Sequence, residues 1–317
     1  TKTNVRLTNG LDADLRVVPK ESFGAALNYF TGSKDHNIAL REIAIKKGMK
    51  LNEYGLYRGK KMVAGATEEG IYRALGFKQV PPPEIREDTG EIKMAQLGKL
   101  PKLIDYGDLR GDLQVQTDWT DGENSIEEMA RAAQAAGLEY IVITDHTRSL
   151  AMTGGSDEKK LLKQVEEIKK IQKKFKNFRI LTGAEVNIAK DGSLDINDET
   201  LGTLDVVGAA IHSHFKLSRE EQTKRIIRAM ENPHVDIIFH LTTRMINKRE
   251  PIELDVDAVI AAAKRTKIVL EIDAYPDRLD IKDEYIRKCV SAGVKMSIDS
   301  DAHATAHFSY LEHGIAQ

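Results

Sequence analysis

The sequence has very little cysteine and no long apolar run. Its single cysteine, Cys289, cannot form a disulfide within one chain, so a reducing, cytoplasmic location is expected. No apolar run approaches the roughly 18 residues that a membrane helix needs, and residues 1–10 lack the apolar core of a signal peptide. No membrane partner is therefore expected. Hydrophobic residues make up 41% and charged residues 30% of the 317 residues, which is typical of a globular protein with a sizeable core.

Net charge is also nearly absent, at −2, but the two signs are unevenly distributed along the chain. Residues 1–107 hold 18 Lys and Arg against 13 Asp and Glu, whereas the remainder holds 29 against 36. A basic front part and an acidic rear part are typical of a polyanion-binding module followed by a cation-binding one. Two solvated surfaces of ordinary composition explain the asymmetry nearly as well.

The stretch 111–122, GDLQVQTDWTDG, sets the pattern of the rear part. Leu113, Val115 and Thr117 alternate with polar residues, which predicts a short strand, and an Asp-Gly turn follows it. Ser125 then begins a helix as its N-cap, and Glu128 lies three residues further on, as in a capping box.

Six later strand candidates repeat this pattern, and stretches with the apolar spacing of amphipathic helices lie between them. The strand candidates are residues 140–146, 179–188, 206–213, 235–242, 268–274 and 295–302. Apolar strands that alternate with amphipathic helices predict a parallel sheet covered by helices. Seven such units close most naturally into a (β/α)7 barrel, in which functional residues collect at the carboxyl ends of the strands.

Those carboxyl ends carry many His, Asp and Glu residues. Each one alone has an ordinary structural explanation, but their joint placement favours a Zn²⁺ or Mn²⁺ site. The candidate ligands are Asp121, His146, Glu185, His212, His240, Asp301 and His303, with Asp145, His214, Glu271, Asp273 and Asp299 beside them.

The Asp-Gly turn, ITDH, GAE, the two later histidines and DAH resemble the PHP (polymerase and histidinol phosphatase) domain over about residues 105–317. This resemblance implies that the first seven residues of that set are metal ligands. In the family the first strand reads His-x-His, whereas Gln114 and Gln116 occupy those positions here. An amide oxygen is a much weaker ligand for Zn²⁺ than imidazole is. The metal site is therefore expected to be degraded, with partial occupancy or none.

The front part contains a strand candidate, LDADLRVV at 11–18, two helix candidates at 21–30 and 35–47, and a hairpin. The run from Asp14 to Arg58 resembles the end of the palm and the thumb of family X DNA polymerases, the polymerase β type, and the likeness extends over about residues 11–90. It implies that Asp14 is the third carboxylate of a two-Mg²⁺ catalytic site. It also implies contacts to DNA and to a deoxynucleoside triphosphate by Arg16, Tyr29, Phe30, Gly32, Asn37 and Arg41.

Together these patterns predict an α/β protein in which a (β/α)7 PHP-type barrel follows a small α+β module. Residues 1–80 are expected to form the end of the palm and the thumb, 81–106 an extended Pro-rich and charged linker, and 107–317 a barrel with a truncated C-terminal end. Because the sequence starts without methionine in a strand-like stretch, we expect a fragment of a longer, monomeric protein.

Three functions compete at this stage. The first is a fragment of a DNA repair polymerase that fills gaps, with a PHP phosphoesterase or 3′–5′ exonuclease part whose metal site is degraded. Since Mg²⁺ needs several oxygen ligands and the partner carboxylates of Asp14 are absent, the chain alone is not expected to polymerise DNA. The second is an inactive barrel that serves as a scaffold or positions DNA. The third, a phosphatase for small molecules, is disfavoured by the polymerase-like front part.

Overall fold

The structure is a computed structural model that describes residues 2–317, except for the side chain of Ala151. Its contacts divide the chain into two compact units, the first ending at Leu103 and the second beginning at Ile104. No helix among the described residues combines the length and the apolar character that crossing a membrane requires.

The described residues of the first unit form two small antiparallel sheets and four α-helices. Its strands are β1 (Lys2–Arg6), β2 (Asp12–Arg16), β3 (Lys50–Asn52), β4 (Gly55–Arg58) and β5 (Lys61–Ala64). Its helices are α1 (Phe23–Thr31), α2 (Lys34–Lys46), α3 (Glu68–Ala74) and α4 (Glu91–Leu97). β1 pairs with β2, and β4 lies between β3 and β5.

Local sequence explains where the helices of this unit begin and how closely they pack. The hydroxyl of Ser33 accepts a hydrogen bond from the backbone of His36 at the start of α2, and Thr67 caps α3 in the same way. α1 approaches the start of α3 so closely that a Cβ at Gly24 would lie 2.2 Å from the carbonyl carbon of Thr67. Only glycine fits there, because any larger residue would push the two helices apart.

Residues 83–98 fold onto the core of the first unit, whereas their Pro-rich and charged composition predicts an extended linker. Ile92 and Ala95 of α4 are buried in that core. The charged groups have partners inside the unit: Arg86 Nη1 donates to Glu68 Oε1 at 2.6 Å, and Glu91 Oε1 lies 2.7 Å from Nδ1 of His36. Because these partners are distant in sequence, composition alone cannot reveal them.

His36 links this segment to the rest of the unit through a buried hydrogen-bonded chain. Its Nε2 lies 2.9 Å from the hydroxyl of Tyr72, which accepts a hydrogen bond from Asn28 at 2.8 Å. Burial lowers the pKa of His36 below its usual value, although the nearby Glu91 opposes this shift. A neutral imidazole satisfies the chain: Nδ1–H donates to Glu91, and Nε2 accepts from Tyr72.

The second unit is built on a seven-stranded parallel sheet. Its strands are β6 (Gly111–Val115), β7 (Tyr140–Ile143), β8 (Arg179–Asn187), β9 (Val206–Ala210), β10 (Ile237–Ile238), β11 (Val269–Asp273) and β12 (Met296–Asp299). The helices between and after them are α5 (Ile126–Ala135), α6 (Glu158–Gln172), α7 (Asp198–Leu201), α8 (Arg219–Met230), α9 (Val256–Thr266), α10 (Asp283–Ala292) and α11 (Leu311–Ala316). The spatial order of the strands follows the chain from β6 to β12.

The two end strands of the sheet approach each other and nearly close a barrel. Val115 and Ala302 form a parallel bridge, and Gln116 N donates to Ala302 O at 2.8 Å. Leu113 N also donates to the side chain of Asp299 at 2.8 Å. The predicted seven-stranded α/β barrel is therefore confirmed. The carboxyl ends of its parallel strands all lie at one rim, which we call the barrel mouth.

Local contacts explain where α5 begins and how closely α11 packs. Ser125 and Glu128 form the predicted capping box at the start of α5. α11, the last helix, lies so close to β12 that a Cβ at Gly314 would be 2.5 Å from a methyl carbon of Ile298. The strand predicted over 235–242 is regular only at Ile237 and Ile238, and the chain then turns sharply at His240, whose φ is 27°.

Candidate metal centre

Glu185 lies at the centre of the barrel mouth and is fully buried. Its Oε1 is 2.7 Å from Nε2 of His240 and 2.9 Å from Nε2 of His212. Its Oε2 is 3.4 Å from Nδ1 of His146. Three imidazoles that sequence places on or after different strands thus converge on one carboxylate.

A second group lies beside the first one. Asp121 Oδ2 is 3.5 Å from Nε2 of His146 and 3.6 Å from Nε2 of His303. Potential ligand atoms of Asp121, His146 and His303 lie within 4.8 Å of one another, and so do those of His146, Glu185 and His212. In both groups the spacing and the mixed N and O donors fit a divalent ion.

His146 belongs to both groups, and this limits how many ions they hold. A neutral imidazole has one nitrogen with a free lone pair, because the other nitrogen carries the proton. His146 can therefore serve one ion at a time. Nδ1 of His146 is buried without a hydrogen bond, so a metal ion would give this atom a partner.

Gln114 and Gln116 donate hydrogen bonds where the family pattern has ligating histidines. Their amide nitrogens lie 3.1 Å and 2.8 Å from Glu185 Oε2. Because an ionised carboxylate only accepts hydrogen bonds, each amide must present its N–H₂ group to Glu185 and direct its oxygen elsewhere. Both amide oxygens are buried without a hydrogen bond. This side of the cluster therefore does not fit a metal ion in the way that two imidazoles would.

Arg278, which the sequence analysis did not single out, lies beside two buried carboxylates of the barrel mouth. Its Nε is 3.4 Å from Asp273 Oδ2 and 3.6 Å from Asp301 Oδ2. Its side chain is only 17% exposed. In the sequence this residue is only a basic residue in the loop after β11. Because such residues are ordinarily solvated, the sequence alone does not indicate that it belongs to the site.

Comparison with known proteins identifies the rear unit. The family model of the PHP domain matches residues 112–307. The chain belongs to the PHP domain family. The model of the DNA polymerase beta thumb matches residues 26–87, so both resemblances drawn from the sequence are confirmed. Asp14 and Arg16 precede the matched part of the thumb.

Individual relatives share one or both units. A protein of Bacillus subtilis named "DNA polymerase/3'-5' exonuclease PolX" is 38% identical over 304 residues, which cover 95% of this chain and 53% of that protein. The chain thus spans about half the length of this relative. A protein of Acetivibrio thermocellus named "Probable phosphatase" is 32% identical over 188 residues, which cover 57% of this chain and 73% of that protein. A histidinol phosphate phosphatase from Lactococcus lactis, crystallised with Zn, L-histidinol and phosphate, is 16% identical, with a TM-score of 0.48 over 65% of this chain and 92% of that one.

Charged groups at the mouth of the PHP barrel shift one another's pKa values. Burial opposes the ionisation of Glu185, but His146, His212 and His240 hold its pKa well below the usual value. Burial likewise opposes the protonation of His303, but Asp301 and Asp121 outweigh it and raise the pKa of His303 to about 10. A metal ion that binds His303 would therefore have to displace this proton.

The inner carboxyl groups of the PHP barrel behave differently. Burial, together with neighbouring carboxylates, raises the pKa values of Glu271 and Asp273 well above normal. It also raises the pKa of Asp299 to about 6. Glu271 Oε2 accepts a hydrogen bond from the backbone of His240 at 2.6 Å, so this residue positions a candidate ligand.

Two further polar residues orient ligands without belonging to either group. Asp145 is buried and accepts hydrogen bonds from the backbone and hydroxyl of Thr117, from Thr120 and from Gln164. It therefore stabilises the start of the loop that leads to Asp121. Asn187 Oδ1 lies 2.6 Å from Nδ1 of His212, which directs Nε2 of that ring towards Glu185.

In the first unit, the predicted DNA-binding and nucleotide-binding residues fall into two contacts. Nδ2 of Asn37 donates to the backbone oxygens of Tyr29 at 2.9 Å and Gly32 at 3.2 Å, and Arg41 donates to Asn37 O at 3.1 Å. These four residues thus meet where α1 ends and α2 begins. Separately, the guanidinium carbon of Arg16 lies 4.9 Å from the ring centre of Phe30.

Asp14, the predicted catalytic carboxylate, is on β2. Its Oδ1 accepts a hydrogen bond from Asn4 at 2.7 Å, and its Oδ2 lies 3.0 Å from Nζ of Lys2. The hydrogen bonds from Asn4 and Lys2 lower the pKa of Asp14. Across residues 2–317, Asp14 joins no group of three or more His, Cys, Asp or Glu ligands. A single carboxylate does not fit a two-Mg²⁺ site.

Proposed function

We propose that the PHP barrel is a metal-dependent phosphoesterase centre that acts on the 3′ end of DNA and works with about one divalent ion instead of a full cluster. The observation that carries this proposal is the convergence of two overlapping ligand groups on His146 at the barrel mouth. The proposal keeps the prediction that ligands are lost at Gln114 and Gln116, because it assigns fewer ions than a full cluster would hold.

The roles of the residues follow from their positions. Asp121, His146 and His303, or His146, Glu185 and His212, would hold the ion. Bound divalent ions supply Lewis-acid activation of water and neutralise charge on a phosphate ester. Around them, Asn187 fixes the ring of His212 and Glu271 fixes the backbone of His240.

Two observations favour DNA over small phosphate esters. The PHP barrel follows a polymerase β thumb, and residues 1–107 hold more cationic than anionic side chains. One relative is named as both a polymerase and a 3′–5′ exonuclease, whereas another is named as a phosphatase. An excess of basic residues provides the phosphate attraction that sequence-independent DNA binding needs.

The test uses the whole chain with a 5′-labelled strand recessed at its 3′ end in a duplex and, in parallel, p-nitrophenyl phosphate. We expect Mn²⁺- or Zn²⁺-dependent shortening of the DNA that a chelator stops, with weaker action on the small ester. Asp121→Asn should lower this activity by at least about 10- to 100-fold, the usual cost of disturbing a metal site. Asp118→Asn is the matched control, because Asp118 is an exposed aspartate close to Asp121 that belongs to neither group. Equal activity of the two variants would contradict the proposal.

A second candidate function has one specific observation in its favour. The amides of Gln114 and Gln116 already occupy Oε2 of Glu185 with hydrogen bonds, which weakens it as a ligand. An inactive PHP barrel that positions DNA would show DNA binding without bound metal and without hydrolysis. In that case Gln114→His together with Gln116→His should create both metal binding and nuclease activity.

For the longer protein we propose template-directed nucleotidyl transfer in gap filling, with Asp14 as one Mg²⁺ ligand beside carboxylates outside this sequence. Arg16, Tyr29, Phe30, Gly32, Asn37 and Arg41 are the proposed contacts to DNA and the incoming deoxynucleoside triphosphate. The thumb match to residues 26–87 supports the assignment of the last five of these residues. A monomeric state and a cytoplasmic location stay predictions.

A further inference from the structure

We propose that three aromatic side chains beside His303 form a platform on which the unpaired base at the 3′ end of a DNA strand stacks. The three are Tyr275, His307 and Tyr310, and we call them the aromatic platform. This inference rests on the proposed function and deepens it, because it names the part of the substrate that the barrel mouth binds besides the phosphate.

The aromatic platform is continuous with the candidate metal centre. The ring centre of Tyr275 lies 6.4 Å from that of His303, and the two ring planes are nearly perpendicular, at 87°. The backbone nitrogen of His303 donates to Nδ1 of His307 at 3.1 Å, which fixes a second ring relative to the same candidate ligand. A nucleotide that had its phosphate at the metal centre would therefore have its base within reach of these rings.

The rings of the aromatic platform hold one another in a defined arrangement. His307 and Tyr310 are stacked, with ring centres 4.7 Å apart and planes inclined by 21°. The ring centre of Tyr275 is 5.5 Å from that of His307 and 5.2 Å from that of Tyr310, with planes inclined by 90° and 74°. Stacked and T-shaped pairs of this kind are favourable. Because the rings are ordered before a base arrives, binding costs little conformational entropy here.

Packing of the C-terminal helical segment does not require these rings. A short 3₁₀ helix, Thr305–Tyr310, leads into α11, and Phe308 and Leu311 of this segment are buried in a core cluster of the barrel. His307 and Tyr310, by contrast, are only half-buried. Phe, Trp and Tyr make up only 6% of the chain, so partly exposed rings gathered beside a candidate metal centre favour a binding role over packing alone.

The chemistry of the aromatic platform suits an unpaired nucleobase. Aromatic side chains stack on any of the four bases, since every base has a π face, and this adds affinity without sequence preference. A base inside a duplex is covered by its neighbours, whereas the last base of a single strand has a free face. A small phosphate ester without a ring gains nothing from the platform. The platform would therefore select the 3′ ends of DNA strands over small phosphate esters.

The experiment measures binding instead of hydrolysis. A short single-stranded oligodeoxynucleotide carries 2-aminopurine, a fluorescent base that stacking quenches, at its 3′ end, and a phosphorothioate in the last linkage slows cleavage. The whole chain is titrated into it in the presence of Zn²⁺. We expect quenching at the 3′ end and little quenching when 2-aminopurine is at the 5′ end. An abasic residue at the 3′ end should weaken binding about 5-fold or more, the lower end of what stacking contributes per base.

Variants of the two tyrosines test whether the rings cause these effects. Tyr275→Leu/Tyr310→Leu should remove both the quenching and the effect of the abasic residue, because leucine is apolar but has no π face. Tyr275→Phe/Tyr310→Phe should keep both. Tyr285→Leu is the matched control, since Tyr285 is a half-buried tyrosine of α10 that packs against a core cluster of the same unit, outside the platform. Circular dichroism checks that each variant is folded.

Equal quenching at the two ends of the strand would overturn the inference, and so would a folded leucine variant that quenches as the wild type does. If the leucine variant does not fold, the wild type decides: a 3′ abasic residue must weaken binding more than a 5′ one, and an equal effect rejects the platform. Because the strand stays intact, 3′-end quenching in a chain that hydrolyses no DNA would support the platform while the proposed function fails alone. Metal-dependent cleavage without 3′-end quenching would reject only the platform.

Discussion

The shared position of His146 predicts that one substitution removes most of the stabilisation that metal gives to the PHP barrel. His146→Ala deletes the imidazole that belongs to both ligand groups. Each group is then left with two potential ligands, which is too few for tight binding of Zn²⁺ or Mn²⁺. The variant should therefore respond little to metal.

The size of the effect follows from linkage. An ion that binds only the folded state stabilises it by about 2.7 kcal/mol at a concentration 100 times its dissociation constant. The unit from Ile104 to Gln317 has 214 residues, so at about 2.1 cal/mol/K per residue its unfolding entropy is about 0.45 kcal/mol/K. The ratio of these values predicts a rise of about 6 °C in the melting temperature of the wild-type barrel.

The single tryptophan makes this rise measurable in the correct unit. Trp119 packs against a core cluster of the barrel, so its fluorescence reports the unfolding of that unit in the full chain. Protein stripped with a chelator is heated with and without Mn²⁺. His234→Ala is the matched control, since His234 lies in the same unit outside both ligand groups, and it should keep the full rise.

The reasoning would be refuted if His146→Ala kept a metal-dependent rise as large as that of the wild type. That result would mean that the ion binds elsewhere, or that the remaining ligands suffice. A wild-type barrel with no rise at any Mn²⁺ or Zn²⁺ concentration would instead favour the inactive barrel.

Three further predictions concern the first unit. The chain alone should not extend the primer of a gapped duplex, because Asp14 lacks the carboxylates that two Mg²⁺ ions need, and template-dependent extension would disprove this. Arg41→Ala should weaken binding of the full chain to gapped DNA and reduce the slope of log affinity against log salt by about 1, whereas Arg287→Ala in the barrel should leave the slope unchanged. Since burial lowers the pKa of His36, the unfolded state takes up a proton first, so the stability of this unit should fall as pH falls below about 6.5. Amide exchange of α2, corrected for the intrinsic rate, measures this loss, and His36→Gln should reduce the dependence on pH; an unchanged dependence would contradict the role of His36.

Much of the barrel could be predicted from the sequence because its signals are local. The alternation in residues 111–117, the capping pair Ser125 and Glu128, and the amphipathic helices all depend on neighbours within a few positions. Parallel strands then place their carboxyl ends at one rim, so His146, Glu185 and His212 were expected near one another before any distance was known.

The tertiary structure alone decided how the charges are matched. By composition, residues 83–98 are typical of a solvated linker. In the folded unit, however, Arg86 pairs with Glu68 and Glu91 pairs with His36. The ion pair of Arg278 likewise requires Asp301, which lies on another loop. A residue's periodicity is set by its neighbours in sequence, but the free energy of a buried charge is set by whichever groups the fold brings within a few ångströms. Those groups come from distant parts of the chain, and no local pattern specifies them.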